Sequence, residues 1–109
     1  MRRRIIIDTD PGLDDAVAIL LALAAADRLE VLGVVAVAGN LPLVLTERNA
    51  RRVCALAGHP ELPVYAGCTR PLMRPLVTAE RIHNDPRLDA VVDALAGALH
   101  EDLAVKAEQ

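Results

Sequence analysis

The stretch Ile5-Ile6-Ile7-Asp8-Thr9-Asp10-Pro11-Gly12-Leu13-Asp14-Asp15-Ala16-Val17-Ala18-Ile19 decides the architecture. Arg4 to Asp8 is a short β-branched run of the kind that fills a strand buried in a parallel sheet. Pro11-Gly12 breaks it. From Asp14 to Ala26 the chain is rich in Ala and Leu at helical spacing, and it opens with carboxylates that suit the positive end of a helix. Strand, tight turn and helix make one βα unit.

The same alternation continues outward. Val31 to Val37 reads as a second buried strand, broken by Ala38-Gly39-Asn40. Pro42 can open a helix that runs to about Ala57, with Gly58 as the residue that ends it. Thr46, Glu47, Arg48, Arg51 and Arg52 are expected on its wet face. Pro63 to Ala66 reads as a third short strand, closed by Gly67. Residues 68–86 read as a loop, punctuated by Pro71, Pro75 and Pro86. From Leu88 the pattern is helical again, with Leu88, Val91, Val92, Leu95 and Leu99 forming one apolar stripe. The expected fold class is α/β: an open, mostly parallel sheet of about three strands with flanking helices.

At 109 residues the chain has the length of one domain, and 53% of its residues are hydrophobic. It has no Phe or Trp and a single Tyr65, so Leu, Val, Ile and Ala must build the core. That composition lacks the aromatic platforms on which single-stranded nucleic acids stack. A net charge of −3 gives no electrostatic case for nucleic acid or an anionic membrane. Arg2-Arg3-Arg4 leads into three isoleucines and then acids, which is not the apolar stretch of roughly 7–15 residues that a secretory signal needs. No segment approaches the roughly 20 apolar residues of a membrane span. Cys54 and Cys68 form no disulfide framework or metal pair. A cytoplasmic protein is expected.

Four carboxylates, Asp8, Asp10, Asp14 and Asp15, fall within eight residues. Asp8 and Asp10 would point the same way if the strand persisted through both. Asp14 and Asp15 follow at the mouth of the helix, and ligands of open α/β sheets bind at these carboxyl ends of strands. Such a cluster repels itself unless a cation or bound protons neutralise it. Oxygen donors without a nearby Cys or His suit Ca²⁺ or Mg²⁺ rather than zinc, and a dense carboxylate cage favours calcium. Each acid has a plainer alternative: Asp14 as a helix cap, Asp15 as a first-turn acid, Asp8 and Asp10 as loop residues. All four together are better explained by metal or catalytic use.

Residues 5–19 also resemble the amino-terminal fingerprint of the inosine–uridine nucleoside hydrolases. Val37-Ala38-Gly39-Asn40, Asn49-Ala50, Tyr65-Ala66-Gly67-Cys68 and Arg70-Pro71-Leu72 resemble the segments that follow it, so the likeness runs from about Arg4 to His83. It implies a partial nucleoside-hydrolase, Rossmann-like core and hydrolysis of the N-glycosidic bond of ribonucleosides to ribose and free base. By resemblance, Asp10 is a calcium ligand and the general base, and Asp15 is a second calcium ligand. Asp14 and Asn40 hold the ribose hydroxyls, with Asp8 supporting the site from behind. His83 falls where the family has a histidine in a loop near the pocket. The same resemblance implies a small-molecule ribonucleoside as partner, a homo-oligomer, and a role in purine and pyrimidine catabolism.

The chemistry agrees with that assignment. Glycosidic cleavage passes through an oxocarbenium-like transition state, steadied by hydrogen bonds to the sugar's 2-OH. After His83 the chain departs from the family pattern: Asn84, Asp85, Pro86 and Arg87 stand where glycines are expected. His83-Asn84-Asp85-Pro86 also faintly echoes a later family motif, a His-Asp-Pro stretch carrying a calcium carboxylate, with Asn84 as an insertion. The whole of 1–109 therefore reads as a single, truncated domain whose residues 84–109 form a divergent C-terminal helix. Two other functions fit part of the pattern. A haloacid dehalogenase-like phosphatase would use Asp8 as nucleophile, Asp10 as acid/base and Mg²⁺. An inactive α/β remnant would act only through oligomerisation.

Overall fold

The computed structural model describes residues 1–79. His83 and the stripe from Leu88 to Leu99 lie outside them. Five elements alternate in the order expected: strand β1 (Arg3–Thr9), helix α1 (Leu13–Ala24), strand β2 (Leu29–Ala36), helix α2 (Leu43–Leu56) and strand β3 (Val64–Ala66). The strands form one parallel sheet in the order β1-β2-β3. The chain thus moves across the sheet in one direction, and crossovers of the usual right-handed kind then put both helices on the same face. Accordingly α1 and α2 contact each other, and both lie on β2. Among the described residues no helix is long and apolar enough to cross a membrane.

The core lies between that helix pair and one face of the sheet. Ile19 and Leu23 of α1, Ala50, Val53 and Cys54 of α2, and Val34, Ala36 and Val64 of the strands form its buried cluster. Small and β-branched side chains fill it, as a chain without Phe or Trp requires. Burial of the Cys54 thiol pushes its pKa up, so the group is a packed hydrophobe rather than a nucleophile. On the opposite face of the sheet, Ile6 is 64% exposed and Tyr65 58%. The Tyr65 ring lies over Gly33, where an added Cβ would come within 3.2 Å of its Cε2. A register shift between Ile5 and Ile6 lets Leu32 bulge from β2, so that Ile5 faces Val31 and Ile6 faces Gly33.

The ends of the helices follow local rules. Pro42 stands immediately before α2, where its missing N–H costs nothing. At the other end Gly58 takes a φ of +83°, and its N–H donates to the Ala55 carbonyl at 3.0 Å while His59 N–H donates to the Cys54 carbonyl at 2.9 Å. This is the Schellman arrangement, whose left-handed position favours glycine. Arg51 then ties α2 to the sheet, donating to Glu47 and to the Val64 carbonyl, both at 2.9 Å.

One expectation for α2 is corrected. Thr46 is fully buried rather than on the wet face. Its hydroxyl donates to the Leu43 carbonyl one turn back at 3.1 Å, so the polar atom is satisfied inside the helix.

Helix α1 is apolar on both sides. Leu13, Val17 and Leu21, spaced four apart, are 45%, 56% and 69% exposed on the side away from Ile19 and Leu23. Burial therefore separates residues of similar hydrophobicity on one helix. Ile19→Val should cost about 1 kcal/mol of folding stability, and Leu21→Ala less than about 0.5 kcal/mol, in urea denaturation.

Candidate active site

Three backbone connections draw the carboxyl ends of the strands together. Val37 N–H donates to the Thr9 carbonyl at 2.9 Å, Gly67 N–H to the Ala36 carbonyl at 2.7 Å, and Ala38 N–H to the Cys68 carbonyl at 3.0 Å. The loop after β3 returns to the same place, where Ala79 N–H donates to the Asn40 carbonyl at 2.7 Å.

Asp10 follows the last residue of β1 and is held from the end of β2. Its carboxylate Oδ2 accepts the Asn40 backbone N–H at 2.8 Å, and its backbone carbonyl accepts Asn40 Nδ2 at 3.2 Å. The two residues are thirty apart in sequence and are bound by both backbone and side chain. Gly39 makes the approach possible. A Cβ there would overlap Asp10 Oδ2 and lie 2.9 Å from its Cγ.

The turn Asp10-Pro11-Gly12 delivers the chain into α1. Gly12 stands at the cap position without any side-chain hydrogen bond to the helix. Asp14 and Asp15 both occupy the first turn, where the helix dipole favours negative charge. Asp14 is therefore a first-turn acid rather than the helix cap. Asp14 is exposed and Asp15 half-buried.

Asp15 carries the electrical stress of the cluster. Burial raises its pKa above the ordinary carboxylate value, and the nearby charges of Asp10 and Asp14 push the same way, while a hydrogen bond from Thr9 opposes them. Its Oδ2 is buried with no hydrogen-bond partner. A buried carboxylate oxygen without a donor is costly unless something positive meets it.

The structure thus gathers Asp10, Asp14, Asp15 and Asn40 at one end of the sheet. Asp8 lies opposite Val35 on the exposed face of β1, away from the core face. The strand stops at Thr9, so the alternation that would align Asp8 with Asp10 stops too. Thr9 and Gly39 belong to the site and were not singled out from sequence. A threonine at a strand end has no distinctive signal, whereas the glycine before Asn40 could have suggested a close backbone approach.

Membership follows from comparison with known proteins. The family model described as "Inosine-uridine preferring nucleoside hydrolase" matches residues 5–108. The chain belongs to that family. It is 45% identical over 91 residues to the inosine-uridine preferring nucleoside hydrolase of Crithidia fasciculata, covering 84% of this chain and 29% of that protein. It is 47% identical over 85 residues to the pyrimidine-specific ribonucleoside hydrolase RihA of Klebsiella pneumoniae, covering 78% of this chain and 27% of that one. Among solved structures, a plant nucleoside hydrolase superposes with a TM-score of 0.64 at 36% identity, over 70% of this chain and 24% of its own. An inosine-guanosine nucleoside hydrolase gives 0.62 at 35%, over 68% and 22%. The chain spans a little over a quarter of the length of the curated relatives it matches. Family membership sets aside the haloacid dehalogenase alternative.

Calcium fits this donor set in part. Asp10 and Asp15 offer adjacent carboxylates, and the unpartnered Asp15 oxygen is a free acceptor for a hard cation. Among the described residues, however, no three His, Cys, Asp or Glu side chains group as a metal site.

The raised pKa has a sign. A carboxyl that holds its proton more tightly folded than unfolded costs stability once it is ionised, and the cost is relieved as the pH falls through the folded pKa. At neutral pH without divalent cations, Asp15→Asn should therefore raise the melting temperature, read by calorimetry in EDTA. Gly39→Ala should lower it by displacing the Asp10 carboxylate.

Proposed function

We propose that the chain carries the cation- and ribose-binding part of a nucleoside N-ribohydrolase that hydrolyses the N-glycosidic bond of ribonucleosides with calcium. The observation that carries this is the pairing of the clamped Asp10 carboxylate with the unpartnered, buried Asp15 oxygen at the carboxyl end of a parallel sheet. Family membership supplies the reaction class. Asp10 and Asp15 would hold the calcium. When bound, it would orient a water molecule, make it more acidic and engage the ribose hydroxyls.

The chain's own groups have separable tasks. Asp10 takes the proton of the attacking water as general base. The Asn40 N–H on its Oδ2 keeps the carboxylate oriented and leaves Oδ1 for that proton. Asp14, exposed in the first turn, accepts a hydrogen bond from the 2′-hydroxyl, which strengthens as positive charge develops at the anomeric carbon. Asn40 has one side-chain N–H on the Asp10 carbonyl, so its other N–H and its Oδ1 would meet the second hydroxyl. The negative charge of the cluster favours the cationic transition state over the neutral substrate. Asp8 would act only from the second layer; His83, which lies outside the described residues, would act near the pocket. A cytoplasmic homo-oligomer is also proposed; the exposed Ile6 and Tyr65 on the open sheet face offer apolar surface for the association, whereas the location rests on the family reading alone.

The test is incubation of the purified chain with inosine, uridine and p-nitrophenyl riboside, with and without Ca²⁺, measuring released base, nitrophenol and reducing sugar. The expected outcome is calcium-dependent release that Asp10→Ala reduces by at least about 100-fold, as loss of a general base does. Calcium binding without turnover would instead point to an inactive remnant. Absence of both would overturn the proposal.

A further inference from the structure

The segment that carries Asp10 is held at every carbonyl. The Thr9 carbonyl accepts Val37 N–H at 2.9 Å, and the Gly12 carbonyl accepts Ala16 N–H at 3.2 Å. The Asp10 carbonyl accepts Asn40 Nδ2 at 3.2 Å. The remaining carbonyl, on Pro11, accepts Asn49 Nδ2 at 3.3 Å. Three of these donors belong to the strand ends, the site or the start of α1. Asn49 alone reaches in from the middle of α2, thirty-eight residues away in sequence.

We propose that Asn49 is a positioning residue, whose side-chain amide, through the Pro11 carbonyl, sets where the Asp10 carboxylate stands. Pro11 is fully buried, so its carbonyl has little recourse to water if the amide is lost. Asparagine is a mediocre helix former because its side chain competes for backbone groups. Here that tendency is turned outward, to a carbonyl of another segment. The flanking helix positions Thr46, Ala50 and Val53 are all buried, so α2 cannot slide to compensate. A shift of the Pro11 peptide moves the Asp10 main chain directly. Because Gly39 leaves no slack around that carboxylate, the shift would be felt at the Asn40 N–H.

The role concerns the geometry of Asp10 and does not itself require calcium; only the second readout rests on the proposed function. Asn49→Leu removes the donor while keeping the branched arrangement of four side-chain heavy atoms. Val53→Ala, one turn further along the same helix and buried, provides a variant that is destabilised but leaves the Pro11 contact intact. The first measurement is amide NMR of the full chain without divalent cations. In Asn49→Leu the Asn40 amide proton should shift upfield and exchange about tenfold faster, with no such local change in Val53→Ala beyond its global destabilisation. The second is calcium titration, where Asn49→Leu should weaken binding about 10–100-fold and Val53→Ala less than about twofold. If the leucine variant does not fold, Asn49→Asp serves: it keeps the size, replaces the donor with an acceptor and should release the same amide. An unchanged Asn40 amide in these variants, or an equal change in Val53→Ala, would overturn the role. A wild-type chain that binds no calcium, with an Asn40 amide still responsive to Asn49, would leave the positioning role standing and reject the calcium assignment instead.

Discussion

The contact between the Asp10 carboxylate and the Asn40 backbone N–H joins the ends of two parallel strands at the point where the chemistry would occur. Parallel strands are linked by their ladder only as far as the ladder runs, and β1 ends at Thr9. Beyond it Asp10 would be a loop residue with a free side chain. The 2.8 Å bond from Asn40, the reciprocal bond from the Asn40 side chain, and the gap left by Gly39 convert it into a fixed group. Once Asp10 is fixed, the turn through Pro11 and Gly12 brings α1 in with Asp14 and Asp15 beside it.

That arrangement works against stability in a specific way. Three acids share the mouth of one helix, and the helix dipole offsets only part of their repulsion. Asp15 bears the remainder, as a half-buried carboxyl with an unpartnered oxygen and a raised pKa. Polar groups left unsatisfied in an otherwise well-packed fold concentrate where function demands them. The rest of the described structure shows no comparable conflict: Asp15 Oδ2 is the only such unpartnered buried side-chain atom found among the described residues.

Much of the scaffold was legible because its signals are local. Three isoleucines before Asp8, the Ala/Leu spacing from Asp14, Pro42 ahead of a helix and Gly58 behind it each act within a few residues, and each element formed where those signals place it. Thr46 was misplaced because a polar residue on a helix reads as wet unless its hydroxyl turns back to its own backbone, as it does here at 3.1 Å. The site was legible in composition more than in geometry. Asp10, Asp14, Asp15 and Asn40 stood out as oxygen donors, and the structure brings them to one end of the sheet.

What the sequence determined by itself was therefore the order and kind of the elements, the acidic character of the site and, through the family fingerprint, the family. Periodicity and residue chemistry are properties of short segments, and they survive without knowledge of what those segments touch. Only the tertiary structure decided which acids meet. Asp8 does not line up with Asp10, because the strand stops one residue beyond it. Asp10 is anchored by a residue thirty positions on, and Pro11 by one thirty-eight positions on. Bonds between such distant residues depend on how two helices and three strands pack, and no local pattern encodes that packing.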